Sequence, residues 1–295
     1  MTRRRRLGAA LLLVGSCTVL VLIAGQGQAK TTTLSSSTVS VLAQGPVKSL
    51  QPGKIYLSIL EFSQQPGADF GPHSHQASIV YTFRGVDTIS FQSGAPAESI
   101  GPGEAAFIPP LVVHTHKNLD GQIGTGALAV GLIVVVILLC AATWWRGSRR
   151  RIAVVVLSTL LIVGGALPLT RATANDYDLF AVRPEVQRTG PMPRPDAQVI
   201  FASADIDPVP AGPYVETLYA ITVPGGATYD APNAPGPEMF IVTDGSAALH
   251  IDDQTSRLSG SGAAFAQTGQ TVAIGNQGSG SIKVLEFVVA GAAAG

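Results

Sequence analysis

Cysteine is almost absent from this chain, with two among 295 residues, Cys17 and Cys140. Both lie inside long apolar segments, so the more polar stretches of the chain contain no thiol. A disulfide framework needs several paired cysteines in one exported region. The composition therefore excludes such a framework and disfavours redox chemistry at sulfur. Any domain formed by the polar stretches depends on its hydrophobic core.

Charged residues are also scarce, at 13% of the chain, whereas 46% of the residues are hydrophobic. This balance indicates membrane segments. The first segment is N-terminal, where four arginines, Arg3 to Arg6, precede an apolar run from Leu7. This pattern, with small residues before Ala29, predicts that residues 1–29 are a signal peptide or an N-terminal membrane anchor. The sequence leaves both alternatives open.

Two further apolar segments lie at residues 126–145 and 152–169, separated by a short basic loop. Each has about the 18 to 20 residues that cross a bilayer as a helix. A buried core helix is the alternative for either segment alone. Because the two runs flank a short basic loop, we predict a transmembrane helical hairpin over residues 126–169.

Acidic residues are missing from the two places where basic residues concentrate. Eight of the nineteen Lys and Arg residues lie among the first six residues or in the loop 146–151, and none of the nineteen acidic residues does. Cytoplasmic segments carry such an excess of positive charge, so we expect a cell-membrane protein with both soluble regions extracytoplasmic. These regions carry eleven basic and nineteen acidic residues, a net charge of −8. This charge argues against nucleic acid as a partner.

Histidine is rare as well, but four of the five histidines form two His-x-His pairs, His73/His75 and His114/His116. Side chains at i and i+2 of an extended strand point the same way, and imidazole is a common ligand for zinc, copper, iron and nickel. One pair supplies two ligands, and His114 supplies a third from a distant strand. The pattern predicts a metal site, with His116 behind it or on the surface.

The residues around the histidines resemble the two motifs of the cupins, small antiparallel barrels of the jelly-roll type. The matching positions are Gly67, His73-Ser74-His75 and Gly85 in the first motif, and Gly103, Pro109, His114 and Asn118 in the second. Two positions depart from the family pattern. Leu111 stands where the family usually has glycine, and Ser78 stands in place of the metal-binding glutamate.

The resemblance implies that His73, His75 and His114 hold a divalent ion, which could be Fe, Mn, Zn, Ni or Cu. Three neutral imidazoles leave such an ion its full charge, which favours an anionic substrate or hydroxide. Three protein ligands plus an open position suffice for a catalytic zinc site. The alternative is a barrel whose metal site has decayed.

Residues 30–125 are expected to form this first barrel, because β-rich runs alternate there with Pro/Gly turns after a Ser/Thr-rich leader. The next apolar segment begins a few residues after Asn118, where a cupin would add a closing strand. Either the barrel is open there or another segment completes it. An open edge predicts self-association into a homo-oligomer.

A second strand-rich region covers residues 198–290, after an expected linker at 170–197. It resembles a cupin more weakly, since Pro232-Asn233-Ala234 and Glu238 occupy the first motif with both histidines replaced. Because Glu238 alone cannot hold an ion, we expect a degenerate, metal-free barrel. A small β domain of another kind is the alternative. His250 is predicted to lie on a strand surface.

These patterns together predict a mainly β protein with two cupin-like antiparallel barrels and transmembrane α-helices, a membrane-anchored bicupin. We interpret it as a protein that binds or senses a small molecule, because no catalytic residue, and no residue for any cofactor besides the metal, stands out near the histidines. The alternative is a metal-dependent cupin enzyme of the oxygenase, isomerase or hydrolase type that acts outside the cytoplasm. A cupin fold alone does not choose between these functions.

Overall fold

The computed structural model describes residues 36–50, 53–120, 173–190, 197–206, 212–231 and 235–291, together with 130, 131 and 134. The strands before residue 121 are β1 (Thr38–Val47), β2 (Ile55–Gln64), β3 (Asp69–His73), β4 (Ser78–Arg84), β5 (Asp87–Phe91), β6 (Glu98–Ile100), β7 (Ala105–Ile108) and β8 (His114–Lys117). Those after residue 172 are β9 (Asn175–Pro184), β10 (Ala197–Ala202), β11 (Tyr214–Val223), β12 (Thr228–Ala231), β13 (Glu238–Asp244), β14 (Ser246–Ile251), β15 (Gln254–Ser259), β16 (Ala263–Ala266), β17 (Val272–Gly275) and β18 (Ile282–Gly291). A 3-10 turn, η1 (Glu185–Gln187), follows β9. The prediction of a mainly β protein is confirmed.

The strands form two barrel-like sandwiches, each made of a five-stranded and a four-stranded antiparallel sheet. The first barrel contains the strand orders β10-β2-β9-β4-β7 and β3-β8-β5-β6. The second barrel contains β1-β11-β18-β13-β16 and β12-β17-β14-β15. These are the jelly-roll-like antiparallel sheets that the sequence predicts.

Strand β9 closes the first barrel, because it pairs with β2 on one side and with β4 on the other. A later segment of the chain therefore completes the barrel. β9 occupies the edge beside β2 and β4 that we expected to be open. The prediction of a linker over 170–197 is wrong for the ten residues of β9. The Pro/Arg-rich composition that suggested a linker largely follows this strand. Self-association stays a prediction, without an open edge as its basis.

The two barrels also exchange strands. β1 precedes the first barrel in the chain but pairs with β11 of the second, whereas β10 precedes the second barrel and pairs with β2 of the first. Both exchanged strands carry a bulge at the same place, between Val41 and Ala43 in β1 and between Val199 and Phe201 in β10. The expected domains 30–125 and 198–290 are therefore not separate units, because each completes a sheet of the other.

The central core lies between the two five-stranded sheets. Alternate residues of these strands face one another across it, and the rings of Phe180 in β9 and Phe287 in β18 meet with centroids 5.9 Å apart. Other fully buried members include Leu57, Ile59, Ile79, Leu218, Met239 and Leu285. Burying each such side chain contributes roughly 1.5 to 3 kcal/mol. The two barrels therefore stabilise each other through one continuous core.

Asn118 and Asn276 occupy equivalent places after β8 and β17. The Asn118 side-chain amide donates to the carbonyl of Thr173 at 2.9 Å, and the Asn276 amide donates to the carbonyl of Gly280 at 2.7 Å. The Asp120 carboxylate also accepts a hydrogen bond from the Thr173 backbone at 3.3 Å. In the second barrel, three residues separate Asn276 from Gly280. In the first barrel, Asp120 and Thr173 lie within hydrogen-bond distance of each other, although 52 residues separate them in the chain. Residues 121–172 are therefore an insertion within a single loop.

The predicted membrane segments, 1–29 and 126–169, lie outside the described residues except for Val130, Gly131 and Val134. No helix in the parts of the chain that the structure describes has the length and apolar character needed to cross a bilayer.

Candidate metal centre

Four histidines lie together in the first barrel. His73 ends β3 and His75 follows it, while His114 and His116 alternate along β8. Pairing of β3 with β8 places His73 directly opposite His114. One ring nitrogen of each histidine lies within 4.8 Å of those of the other three. The structure therefore brings together the three predicted ligands and adds a fourth.

His116 belongs to this cluster, so its expected place behind the site or on the surface is corrected. Its side chain is buried, and its ring stacks on that of Tyr177 with centroids 5.4 Å apart. The signal was present in the sequence, because residues i and i+2 of an extended strand face the same side. β8 is a regular strand through both histidines, so His114 and His116 point together.

The Nδ1 atom of each histidine lies against an oxygen. The acceptors are the carbonyls of Gly71 for His73 (3.0 Å), Gln76 for His75 (2.6 Å) and Val112 for His114 (2.8 Å), and the Asp87 carboxylate for His116 (2.6 Å). Since a carbonyl oxygen can only accept, Nδ1 carries the proton in these three rings and Nε2 carries the lone pair. This is the tautomer that binds a metal through Nε2.

Asp87 supports His116 from β5 and is fully buried. Its Oδ2 accepts the hydrogen bond from His116, and its Oδ1 has no hydrogen-bond partner in the described structure. A carboxylate in this position fixes the imidazole ring and makes its free nitrogen more basic. Sequence reasoning missed Asp87, because the contact arises only when β5 pairs with β8, placing Ile89 opposite His116.

Burial keeps His75 and His114 in their neutral form. Desolvation lowers the pKa of His75 to about 4 and that of His114 to about 3, and the neighbouring histidines add to both shifts. Neutral imidazole is the form that binds a metal. The Nε2 atom of His114 is buried and has no hydrogen-bond partner among the described residues. Leaving a polar atom in this state is costly, and a bound cation would relieve it. The residues present therefore fit a divalent ion.

A cavity of about 870 Å³ adjoins the cluster, and His73, His75 and His116 form part of its wall. Much of the remaining wall is apolar and comes from β2, β3 and β9. These residues are Leu60, Phe62, Phe70, Tyr177, Leu179 and Ala181. A cavity of this size and character accommodates a small organic molecule.

Ser78 and Glu238 occupy equivalent positions in the two barrels. Each is the first residue of its strand, and each lies opposite the same position of the closing strand, Ala181 in β9 and Val288 in β18. The position at which the cupin motif has a glutamate is therefore occupied by Ser78 in the first barrel and by Glu238 in the second. Ser78 is fully buried and its hydroxyl has no partner in the described structure.

In the second barrel, β17 carries Val272 and Ile274 where β8 carries its two histidines. His250 lies on β14, where its Nδ1 contacts the Thr255 hydroxyl at 2.8 Å. The expected histidine replacements at 232–234 lie outside the described residues. Within the described ranges, the four-histidine cluster is the only group of three or more His, Cys, Asp or Glu side chains arranged to hold a metal.

No family model matches the chain, and no curated protein matches it. Solved structures with related folds include AerE from Microcystis aeruginosa, at 12% identity over 84% of this chain and 98% of its own, with a TM-score of 0.44. Oxalate decarboxylase from Bacillus subtilis, studied for its Mn(II) centres, gives 11% identity, 84% and 76% coverage and a TM-score of 0.47. YhaK from Escherichia coli is 12% identical over 86% of this chain and 94% of its own, with a TM-score of 0.45. Similarity at this level carries no argument about family or activity.

Proposed function

We propose that the first barrel is a metal-dependent, cupin-type enzyme domain that acts on a small molecule. In this proposal His73, His75, His114 and His116 hold one divalent transition-metal ion. The observation that carries the proposal is the convergence of four ring nitrogens within 4.8 Å beside a cavity. The cavity favours an enzyme over a binding or sensing role alone, because catalytic metal sites keep a position open to substrate.

The number of ligands bears on the metal. Four imidazoles complete a tetrahedral zinc site, whereas an ion that takes five or six ligands keeps a position for substrate. Zinc, iron, manganese, nickel and copper all remain candidates, and a catalytic role favours the ions that exceed four ligands.

When bound, such an ion polarises a substrate oxygen or lowers the pKa of a bound water. The chain's own residues prepare the site. The three backbone carbonyls and Asp87 orient the rings, so that little reorganisation is needed. Phe62, Phe70 and Leu179 form an apolar side of the cavity, and an apolar wall strengthens electrostatic interactions beside it.

The metal site is tested by mass spectrometry of metal bound to the full-length protein. The full chain is required, because β9 and β10 of the first barrel lie after residue 172. We expect about one metal ion per chain in the wild type. His114→Ala and His116→Ala should each lose most of it, since each removes one of the four ring nitrogens.

The matched control is His250→Ala, which removes a histidine of the second barrel whose ring contacts the Thr255 hydroxyl. This variant should keep its metal. A folded wild-type protein without metal, or full metal content in His114→Ala, would contradict the proposal.

We also propose that residues 126–169 anchor the chain in the cell membrane, with both barrels on the extracytoplasmic side, and that residues 1–29 are a signal peptide or a second anchor. The apolar segments and their flanking arginines support this. The adjacency of Asp120 and Thr173 supports it too, because a hairpin that crosses twice must start and end at one place. The full chain should stay with membranes after an alkaline wash, and complete release would contradict anchoring.

A further inference from the structure

The only formal charge among the described residues that line the cavity beside the four histidines is positive. None of its described lining residues is acidic, and Arg183 is the only lysine or arginine among them. Neutral histidines would also leave a bound divalent ion its full charge. A cavity walled in this way attracts an anion and repels a cation.

Arg183 and Tyr177 lie at the two ends of the row of β9 residues that lines the cavity. Tyr177, Leu179, Ala181 and Arg183 alternate along β9 and all line the cavity, and Tyr177 stacks on the ring of His116. At about 3.3 Å per residue, Arg183 lies about 20 Å along the strand from Tyr177. This row of residues therefore ends in a positive group on one side and, on the other, in the tyrosine that stacks on His116 of the candidate metal centre.

No carboxylate neutralises Arg183 within the described structure. Its Nε donates to the Gln187 side-chain oxygen at 3.1 Å, and it takes part in no ion pair there. The nearby Arg188 behaves differently, because it pairs with both Glu185 and Asp205. The outer nitrogens of the Arg183 guanidinium are thus available to an anion, beside the NH₂ group of Gln187.

The rim of the cavity is apolar and exposed. Leu111 and Val186 both line the cavity, and their exposed fractions are 69% and 84%. Leu111 also has a φ of 61°, a left-handed conformation that glycine adopts without strain and leucine does not. Leu111 and Val186 therefore place apolar side chains where a molecule that enters the cavity meets them.

We propose that the cavity binds an organic monocarboxylate with an extended apolar body. The carboxylate lies on Arg183 and Gln187, and the body runs between the apolar walls toward the metal centre. The planar guanidinium fork matches a carboxylate in a bidentate manner, and one arginine balances one negative charge. The reach to the metal rests on the proposed function, whereas the recognition of the carboxylate by Arg183 does not.

Calorimetric titration of the full-length protein with three probes tests this proposal. Octanoate carries both the charge and the apolar body, 1-octanol carries only the body, and acetate carries only the charge. We expect octanoate to bind about tenfold more tightly than 1-octanol, as a charge-assisted hydrogen bond provides, and acetate to bind more weakly than either.

Arg183→Gln should weaken octanoate binding about tenfold and leave 1-octanol binding unchanged, which also shows that the variant is folded. Arg183→Lys should fall between the wild type and Arg183→Gln, because it keeps the charge but not the fork. The matched control is Arg257→Gln. Arg257 also contacts a glutamine, Gln277 at 2.8 Å, but lies in the second barrel. It should leave every affinity unchanged.

Leu111→Gly separates the role of the rim from its conformation. It should weaken octanoate and 1-octanol alike, while thermal stability stays the same or rises as the left-handed strain is relieved. Unchanged binding of both probes would remove the rim from the proposal. Equal binding of octanoate and 1-octanol by the wild type, or no effect of Arg183→Gln, would overturn it.

The metal content of each sample distinguishes this proposal from the preceding one. Arginine-dependent octanoate binding in a protein without metal would support the carboxylate site and contradict the metal enzyme. A metal-loaded protein that does not distinguish octanoate from 1-octanol would support the metal centre and overturn the carboxylate site.

Discussion

At the scale of single residues, the candidate centre depends on what holds the second nitrogen of each imidazole. Three rings are held by backbone carbonyls from residues one or two positions away in the chain, so their orientation is local. His116 is held by the buried carboxylate of Asp87, which is 29 residues away. The orientation of the His116 ring therefore depends on the Asp87 side chain, which a substitution can change.

We predict that Asp87→Asn lowers metal affinity about 10- to 100-fold without abolishing binding. The amide removes the negative charge behind His116 and can donate to Nδ1, which would place the proton on Nε2. Competition with a chromophoric chelator measures the affinity. Asp69→Asn is the control, since Asp69 is an exposed residue of the same sheet that pairs with Lys117 at 2.9 Å. An equal loss in both variants would show that Asp87 has no special role.

At the scale of elements, the first barrel accommodates residues 121–172 because hydrogen bonds hold together the residues that flank them. Asn118 bridges the chain before and after residues 121–172, as Asn276 does across the short loop of the second barrel. Lengthening a loop with fixed ends costs little free energy, because the entropy of closure grows only with the logarithm of its length. The barrel strands on either side therefore pair as they do in the second barrel.

We predict that replacing residues 121–172 with Gly-Ser yields a folded protein that keeps both barrels. Its melting temperature should lie within about 5 °C of the wild type or above it, because a shorter loop has less entropy to lose. Metal content should be unchanged, since all four histidines remain. Circular dichroism and mass spectrometry check these outcomes. An unfolded or metal-free variant would show that the insertion contributes to the barrel.

At the scale of the whole molecule, buried carboxylates make stability depend on pH. Glu216 on β11 is fully buried, and neither of its carboxylate oxygens has a hydrogen-bond partner in the described structure. Burial raises the pKa of Glu216 to about 8. It also raises the pKa of Asp178 and of Glu238 to about 8, with neighbouring carboxylates adding to both. These groups are neutral in the folded protein at mildly acidic pH.

A carboxyl group with a raised pKa binds its proton more tightly in the folded than in the unfolded state. For Glu216 the stabilisation is present below its ordinary pKa near 4.5 and is lost as the pH rises to about 8. We predict that Glu216→Gln raises the free energy of unfolding by about 5 kcal/mol at pH 9 and changes it little near pH 4.5.

Urea unfolding at the two pH values measures this difference. The exposed residue Glu98, on the short strand β6, provides the control Glu98→Gln, which should have no effect at either pH. An equal gain for Glu216→Gln at both pH values would contradict a role for ionisation.

The order of residues along the chain was enough to predict the β class, the two strand-rich regions and the grouping of His73, His75 and His114. These features depend on local periodicity, because alternation sets which side chains share a face of a strand. The tertiary structure alone decided that β9 closes the first barrel, that β1 and β10 each pair with a strand of the other barrel, and that Asp87 holds His116. Each of these depends on pairing between distant strands, which local sequence does not specify. Sheet edges pair with whichever strand the whole fold brings beside them.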